Sequence, residues 1–413
     1  MNKSKFIGST MILTGSIIGA GMLGQPMVSA ACGFTWASIL MFVFWAIAAI
    51  TGLIVIEVNL AFPIQSCSFS TMAEQTLGRF GKAVTWVSYL LVLYAITVAY
   101  IGGETSGIVN AFGSAFPTQI PHWTISVLFT FVLGAAVFWS TKATDHFNRS
   151  LISVKGFLLI AALAFIMPHV DVSKLIASQN LSSQSIFLWS AVPVFTNAFF
   201  YQFVIPSLRI YIGDEPRQLK WIVMTGTTTA LIIYLLWLAA ILGVIPLEGD
   251  NSFTSLARTP GSSVGEFTQL MIHLINNKWV TTSINGFANI AMTTSFLGVS
   301  LGLFDFLADG FKRPDTRFGR LQTAFLTFTP PLTIALFFPN IFVAAMNYAA
   351  IPIAVLALII PALMAYKLRK HPTLKSPYRI KYGNTLFFML VLIGFALAVL
   401  AVVNNLGWLP TLK

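Results

Sequence analysis

Near its start the chain reads Gly15-Ser16-Ile17-Ile18-Gly19-Ala20-Gly21-Met22-Leu23-Gly24-Gln25-Pro26. Taken literally, Gly19 to Gly24 matches GxGxxG, the dinucleotide fingerprint. That fingerprint needs a preceding strand and a βαβ unit. Here it lies inside an apolar run from about residue 6 to 31, and a bilayer is crossed by ~20 mostly apolar residues. Glycines in such a span have two uses. Small residues such as Gly15 and Gly19 let helices pack closely. Alternatively the helix unwinds at Gly19–Met22, since each glycine costs a helix about 1 kcal/mol relative to alanine. Unwinding frees the N–H groups of the following half-helix, which with its dipole suit an anion. It also frees carbonyls of the preceding half, which suit an ammonium or a cation.

The rest of the chain places this stretch in a membrane. Of 413 residues, 56% are apolar and only 9% charged, whereas a soluble domain carries about 25% charge. Too few charges are present to cover a water-facing globule, which excludes a soluble enzyme, a nucleic-acid binder and a disordered scaffold. Apolar runs at about 6–31, 34–62, 82–112, 121–140, 147–168, 185–211, 219–246, 279–308, 320–338, 340–366 and 384–405 are too long and continuous for barrel strands of about ten alternating residues. The expected fold is an all-α polytopic membrane protein of about 11 transmembrane helices, a single membrane domain over 1–413. Lys3, Lys5 and Ser29-Ala30-Ala31 give the first run a signal-peptide look, but its glycines and the further spans favour a retained helix.

The net charge of +11 is explained by placement. With the N-terminus inside and the spans alternating, twenty of the 24 Lys and Arg face the cytoplasm; Lys174, Arg258, Lys278 and Lys413 stay outside. That is the positive-inside asymmetry, and it puts the C-terminus on the outer side. The basic stretch 367–381 then faces lipid headgroups, and no nucleic-acid partner is implied. Cys32 and Cys67 flank opposite ends of one span and cannot pair, and five scattered histidines lack metal-ligand spacing. The segment 63–81 holds a short interfacial helix after Ser70, and 247–278 is a long outer loop able to fold over the route. No cofactor is expected, and the sequence sets no oligomeric state.

Five spans beyond the first, residues 186–208 hold Pro193, Thr196, Asn197 and Pro206 around Phe199-Phe200-Tyr201-Gln202. Polar residues and prolines there fit a second broken helix. Breaks in corresponding spans of two inverted halves point to a transport site at the midplane.

These residues, together with Thr294-Ser295-Phe296-Leu297-Gly298 through Asp305 and Asp309, Leu93-Tyr94-Ala95-Ile96-Thr97 with Tyr100, Trp139-Ser140-Thr141-Lys142-Ala143 and Leu326-Thr327-Phe328-Thr329-Pro330-Pro331, resemble the hydroxy/aromatic amino-acid permeases, the bacterial tryptophan- and tyrosine-specific transporters. The resemblance implies a five-plus-five inverted repeat of the amino acid/polyamine/organocation superfamily (halves about 6–168 and 185–366, broken helices 1 and 6, an extra helix 384–405). It also implies proton-driven uptake of an aromatic amino acid across the bacterial inner membrane. The sixth span departs from its relatives: Phe200, Gln202 and Phe203 replace a Gly-Tyr-His-Gly-like run. Another neutral amino acid such as serine or threonine, or a sodium gradient, is therefore the alternative.

Buried charges are functional by default. Lys155 lies two turns inside the fifth span; it either snorkels or puts its ammonium where sodium-coupled relatives hold the ion, near Gly19, Thr294 and Ser295, able there to exchange a proton. Glu57 reads as structural. Glu104 is either an outer gate or wet. Asp305 and Asp309 either end a solvated helix or gate the cytoplasmic side with Lys3 or Lys5. The substrate carboxylate is expected at Gly19, Ala20, Gly21 and Met22, with Tyr94, Tyr100, Asn197 and Phe199 lining the side-chain pocket. A membrane enzyme would want an inward nucleophile–base pair or a metal site, which these spans do not offer.

Overall fold

The computed structural model describes residues 3–64, 68–112, 121–176, 184–258, 264–381 and 383–412; Cys67 and Lys413 lie outside them. The first run is split as its glycines suggest. Helix α1 (Lys3–Ile17) ends, Gly19 is extended, and a single 3-10 turn (Ala20–Leu23) leads into α2 (Gly24–Ser29). The two parts are bent by 49°.

The second span is α3 (Gly33–Asn59) and the third is α4 (Phe69–Phe112). At 44 residues α4 is too long to be one span, and it kinks at Gly78, whose φ of 76° glycine alone adopts easily. The piece before the kink is the short helix expected after Ser70. Then come α5 (His122–Trp139), α6 (Thr141–Ile166) and the short α7 (Val172–Ile176). Tryptophans bracket α5, Trp123 being 60% and Trp139 86% exposed.

The sixth span is also interrupted. Helix α8 (Leu188–Ala198) stops, Phe199 to Tyr201 leave helical geometry, and a 3-10 turn (Gln202–Val204) precedes α9 (Ile205–Ile212). Pro206 sits in the first turn of α9, where its missing N–H costs nothing. The break therefore forms without a glycine of its own.

Helix α10 (Pro216–Val244) is the seventh span. The segment 247–278, expected as an outer loop, contains two helices, α11 (Phe253–Arg258) and α12 (Val264–Ile275). Val264, Phe267, Thr268 and Met271 bury one stripe of α12, which lies along α4. Gly265 approaches so closely that a Cβ there would stand 2.3 Å from the Ser106 carbonyl oxygen.

The remaining helices are α13 (Lys278–Gly310), α14 (Arg317–Phe337), α15 (Phe342–Ala354), α16 (Ile360–Lys370) and α17 (Asn384–Asn405), with a π turn (Val355–Ile359) joining α15 to α16. Among the described residues nine helices are long and apolar enough to cross a membrane, ten with the bent first pair. The segment of the further expected span, 320–338, forms helix α14, which is not among these, being less apolar with four threonines and two prolines.

The core gathers around the broken helices. Helix α13 packs along α6 and α4, α10 along α3 and α1, and α15 along α4 and α8. Under this core Glu57 of α3 and Arg369 of α16 form a buried two-point ion pair, with N–O distances of 2.7 and 2.8 Å. The Ile380 amide donates to the same carboxylate at 2.9 Å, so Glu57 is structural. Arg209, also buried, donates to Asp214 at 2.6 Å and to the Asn59 carbonyl.

Candidate functional site

Breaking a helix leaves backbone groups that must find partners away from water. At the first break four of these partners are side chains from other spans. Lys155 of α6, 6% exposed, donates through Nζ to the Ile18 carbonyl at 2.9 Å. Tyr234 of α10 places its hydroxyl 2.6 Å from the Ile17 carbonyl. Trp237, one turn further along α10, donates its indole N–H to the Met22 carbonyl at 3.1 Å. The Ala20 N–H donates to Ser295 Oγ at 3.2 Å.

The sixth span joins the same cluster. The Tyr234 hydroxyl also lies 3.0 Å from the Ala198 carbonyl, the last of α8. One phenol thus touches the carbonyl ends of both half-helices. Phe199 packs edge-on against the Tyr234 ring, centroids 5.4 Å apart. Tyr100 of α4 is hydrogen-bonded to Ser295, and its oxygen lies 3.6 Å from where a Gly19 Cβ would be.

Within the 3-10 turn Ala20, Met22 and Leu23 are fully buried, whereas Gly21 is partly accessible. A Cβ built on Gly21 meets nothing within 4 Å. Open space at Gly21, with carbonyl ends of the half-helices and N–H groups of the turn close by, suits a zwitterion.

The structure brings together Gly19, Ala20, Gly21, Met22, Tyr100, Phe199, Lys155 and Ser295. Others are placed differently. Tyr94 is turned away, its hydroxyl donating to the Leu326 carbonyl of α14 at 2.7 Å. Asn197 spans α8 and α15, donating to the Pro193 and Met346 carbonyls at 2.8 and 3.0 Å. The Thr294 hydroxyl bonds back to Ala291 of its own helix. Gln202 donates to Thr51 of α3 and accepts from the Tyr201 N–H, so this departure from the relatives' run faces α3. Phe200 and Phe203 pack on each other with their rings tilted by 40°, centroids 5.2 Å apart.

The expected cytoplasmic gate is not closed by an ion pair here. Asp305 and Asp309 are exposed, and Asp309 pairs with neither Lys3 nor Lys5 among the described residues. Lys5 lies over the Tyr211 ring, 5.7 Å from its centroid. The reason is packing: α1 rests on α10 and α9, while the end of α13 is held on α4 by Trp86 against Phe306 and Phe311. Glu104 is not wet either. It is 3% exposed, with Oε1 3.4 Å from the Thr293 hydroxyl.

Sequence reasoning missed Tyr234, Trp237 and Gln25. The signal for the first two was available: a buried phenol or indole needs a polar partner, and both sit mid-span instead of in an interfacial belt. Gln25, fully buried in α2, has an amide without a partner among the described residues. A separate cleft of about 300 Å³, lined by Asn110, Glu266, Gln269 and His273, lies at the C-terminal end of α4, away from the breaks.

Residues 2–401 match the tryptophan/tyrosine permease family. A tryptophan-specific transport protein of Pseudomonas aeruginosa is 34% identical, the alignment covering 99% of this chain and 97% of that protein. A tyrosine-specific transport system of Haemophilus influenzae is 33% identical over 99% of both chains. Among solved structures, a manganese transporter of Eremococcus coleocola superposes with a TM-score of 0.62 at 14% identity, covering 97% of this chain and 86% of that one. That likeness concerns the fold alone.

Proposed function

Since the chain belongs to the tryptophan/tyrosine permease family and is a multi-pass membrane permease, we propose that it imports tryptophan or tyrosine by proton symport across the bacterial inner membrane, N-terminus cytoplasmic and C-terminus periplasmic. The amino acid's carboxylate sits at the partly accessible Gly21 turn, its ammonium at the carbonyls of the α1 and α8 ends, and its ring against Tyr100 and Phe199.

The observation that carries this reading is the Lys155 ammonium on the Ile18 carbonyl, 2.9 Å away at the first break. A resident cation at this carbonyl end takes a position that a sodium-driven carrier would leave for its ion, which favours protons as the driving ion. Charge balance supports it too: a fixed positive charge beside the break favours the incoming carboxylate. The two broken spans, first and sixth, support a five-plus-five inverted repeat that rocks about a fixed midplane site.

Uptake of labelled tryptophan and tyrosine into proteoliposomes, with other neutral amino acids as competitors, tests the substrate. Imposed proton and sodium gradients, applied separately, test the coupling. Accumulation of either aromatic amino acid under a proton gradient without sodium is the expected result. Serine or threonine outcompeting both, or a strict sodium requirement, would replace the reading.

A further inference from the structure

Glu104 is a buried carboxyl that nothing above uses. One of its oxygens meets the Thr293 hydroxyl at 3.4 Å, and Oε2 has no partner among the described residues. The surroundings seal it. A Cβ on neighbouring Gly103 would stand 2.8 Å from both Met292 Sδ and Phe342 Cδ2, so α13 and α15 close tightly on α4 at this level. Carboxylates are seldom left buried without a cation or a set of N–H donors.

Its position relates it to the substrate site. Glu104 lies one helical turn beyond Tyr100, roughly 6 Å along the axis. The two residues bond Thr293 and Ser295 of α13, and both of those are partly accessible. Ser295 in turn receives the Ala20 N–H. A carboxylate seated on the Gly21 turn would therefore be linked to Glu104 through Tyr100 and two hydroxyls of α13. Two negative charges in one poorly solvated region disfavour each other.

Among the described residues no cation is hydrogen-bonded to Glu104. Helix α13 presents Thr293 to it, while Met292 of α13 and Phe342 of α15 close on the adjacent Gly103. Helix α5 brings Ser126 onto Thr105, with His122 one turn further out. Helix α12 brings Glu266, itself negative, onto Asn110. Tyr100 is on Glu104's own helix, and Lys155 is engaged across the break with Ile18.

We propose that Glu104 is the group on which the cotransported proton travels, because the substrate carboxylate binds well only when Glu104 has taken up a proton. Outer-side water supplies that proton to the carboxylate, giving a neutral carboxylic acid whose O–H sits on the otherwise unpartnered oxygen. Release of the amino acid inside lets the acid ionise and return the proton to cytoplasmic water. Binding of substrate and proton are then reciprocal. The inference rests on the proton-symport reading above and names its site.

The test is the pH dependence of KM for tryptophan in proteoliposomes. In the wild type KM should rise with external pH, approaching about tenfold per unit on the alkaline side, the slope for one linked proton. Glu104→Gln, neutral and of the same shape, should keep KM low and flat, retain counterflow exchange, and lose proton-driven accumulation. Glu104→Asp should keep proton-driven uptake with its pH profile displaced, and it carries the test if the Gln variant fails to reach the membrane. A Gln variant whose KM still climbs as in the wild type, or an Asp variant with an undisplaced profile, overturns the inference while leaving proton symport standing. A wild type driven by sodium alone overturns both.

Discussion

Gly52 is the residue that lets the sixth span lean on the second. A Cβ there would stand 2.1 Å from the Tyr201 hydroxyl oxygen and 2.9 Å from Cζ, so the ring must move and its 2.9 Å bond to the Ala48 carbonyl must break. Gly52→Ala should therefore cost about 1 kcal/mol for the bond and roughly 1–3 kcal/mol for overpacking, read as a lowered melting temperature in detergent. Tyr201→Phe alone should cost about 1 kcal/mol, and the double variant less than the two together, since they share one contact. Strict additivity would mean the contact is not shared. Lys155→Ala leaves the Ile18 carbonyl without its donor, a loss of about 1–3 kcal/mol at the break itself. Gradient-driven accumulation should disappear while counterflow exchange survives; normal accumulation would return Lys155 to a packing role. Lys155 was legible in the sequence because a charge mid-span is expensive enough to need a purpose. Tyr94 was not, because a resemblance marks a residue without its rotation. Six positions from Tyr100, it is turned roughly 240° around the helix and meets α14 instead of the pocket.

Between elements, the Glu57–Arg369 pair fixes α3 to α16. Removing one partner leaves the other charge buried, so Glu57→Gln should destabilise the protein by about 3–5 kcal/mol. Replacing both by apolar residues of similar volume, Glu57→Leu with Arg369→Met, should cost less than either single change. Thermal unfolding of the three variants checks the order; a double variant worse than both singles would show that the pair does more than neutralise itself. The long runs were readable as helices because length and continuous apolarity leave no other structure in a bilayer. The first break was readable from its glycines. The helices inside 247–278 were harder: α12 is a single apolar stripe on a short polar segment, and its register only means something once α4 is beside it. The sixth-span break was half legible, since Pro206 marks a start but Phe199 and Phe200 carry no sign of unwinding.

At the level of the whole molecule, the conformation seen here keeps α1 on α9 and α10 and the end of α13 on α4, so Lys5 and Asp309 are held apart. No single residue of the sequence could have told which side of the cycle the chain occupies, since that depends on how two packed groups stand relative to each other. One further consequence follows from the tryptophans at the two ends of α5. Eighteen residues at 1.5 Å each give a rod of about 27 Å, a little short of the ~30 Å hydrocarbon layer of a typical bilayer, and indole rings prefer the headgroup level. That helix acts as a ruler set to a thin membrane. Lipids with longer acyl chains would have to pinch inward around it, at a fraction of a kcal/mol per ångström, and the strain falls on a helix packed directly against α4. Initial uptake rates in phosphatidylcholines of increasing chain length should peak at the thinner end and decline as the chains lengthen, whereas rates indifferent to thickness would mean α5 floats free of the moving parts.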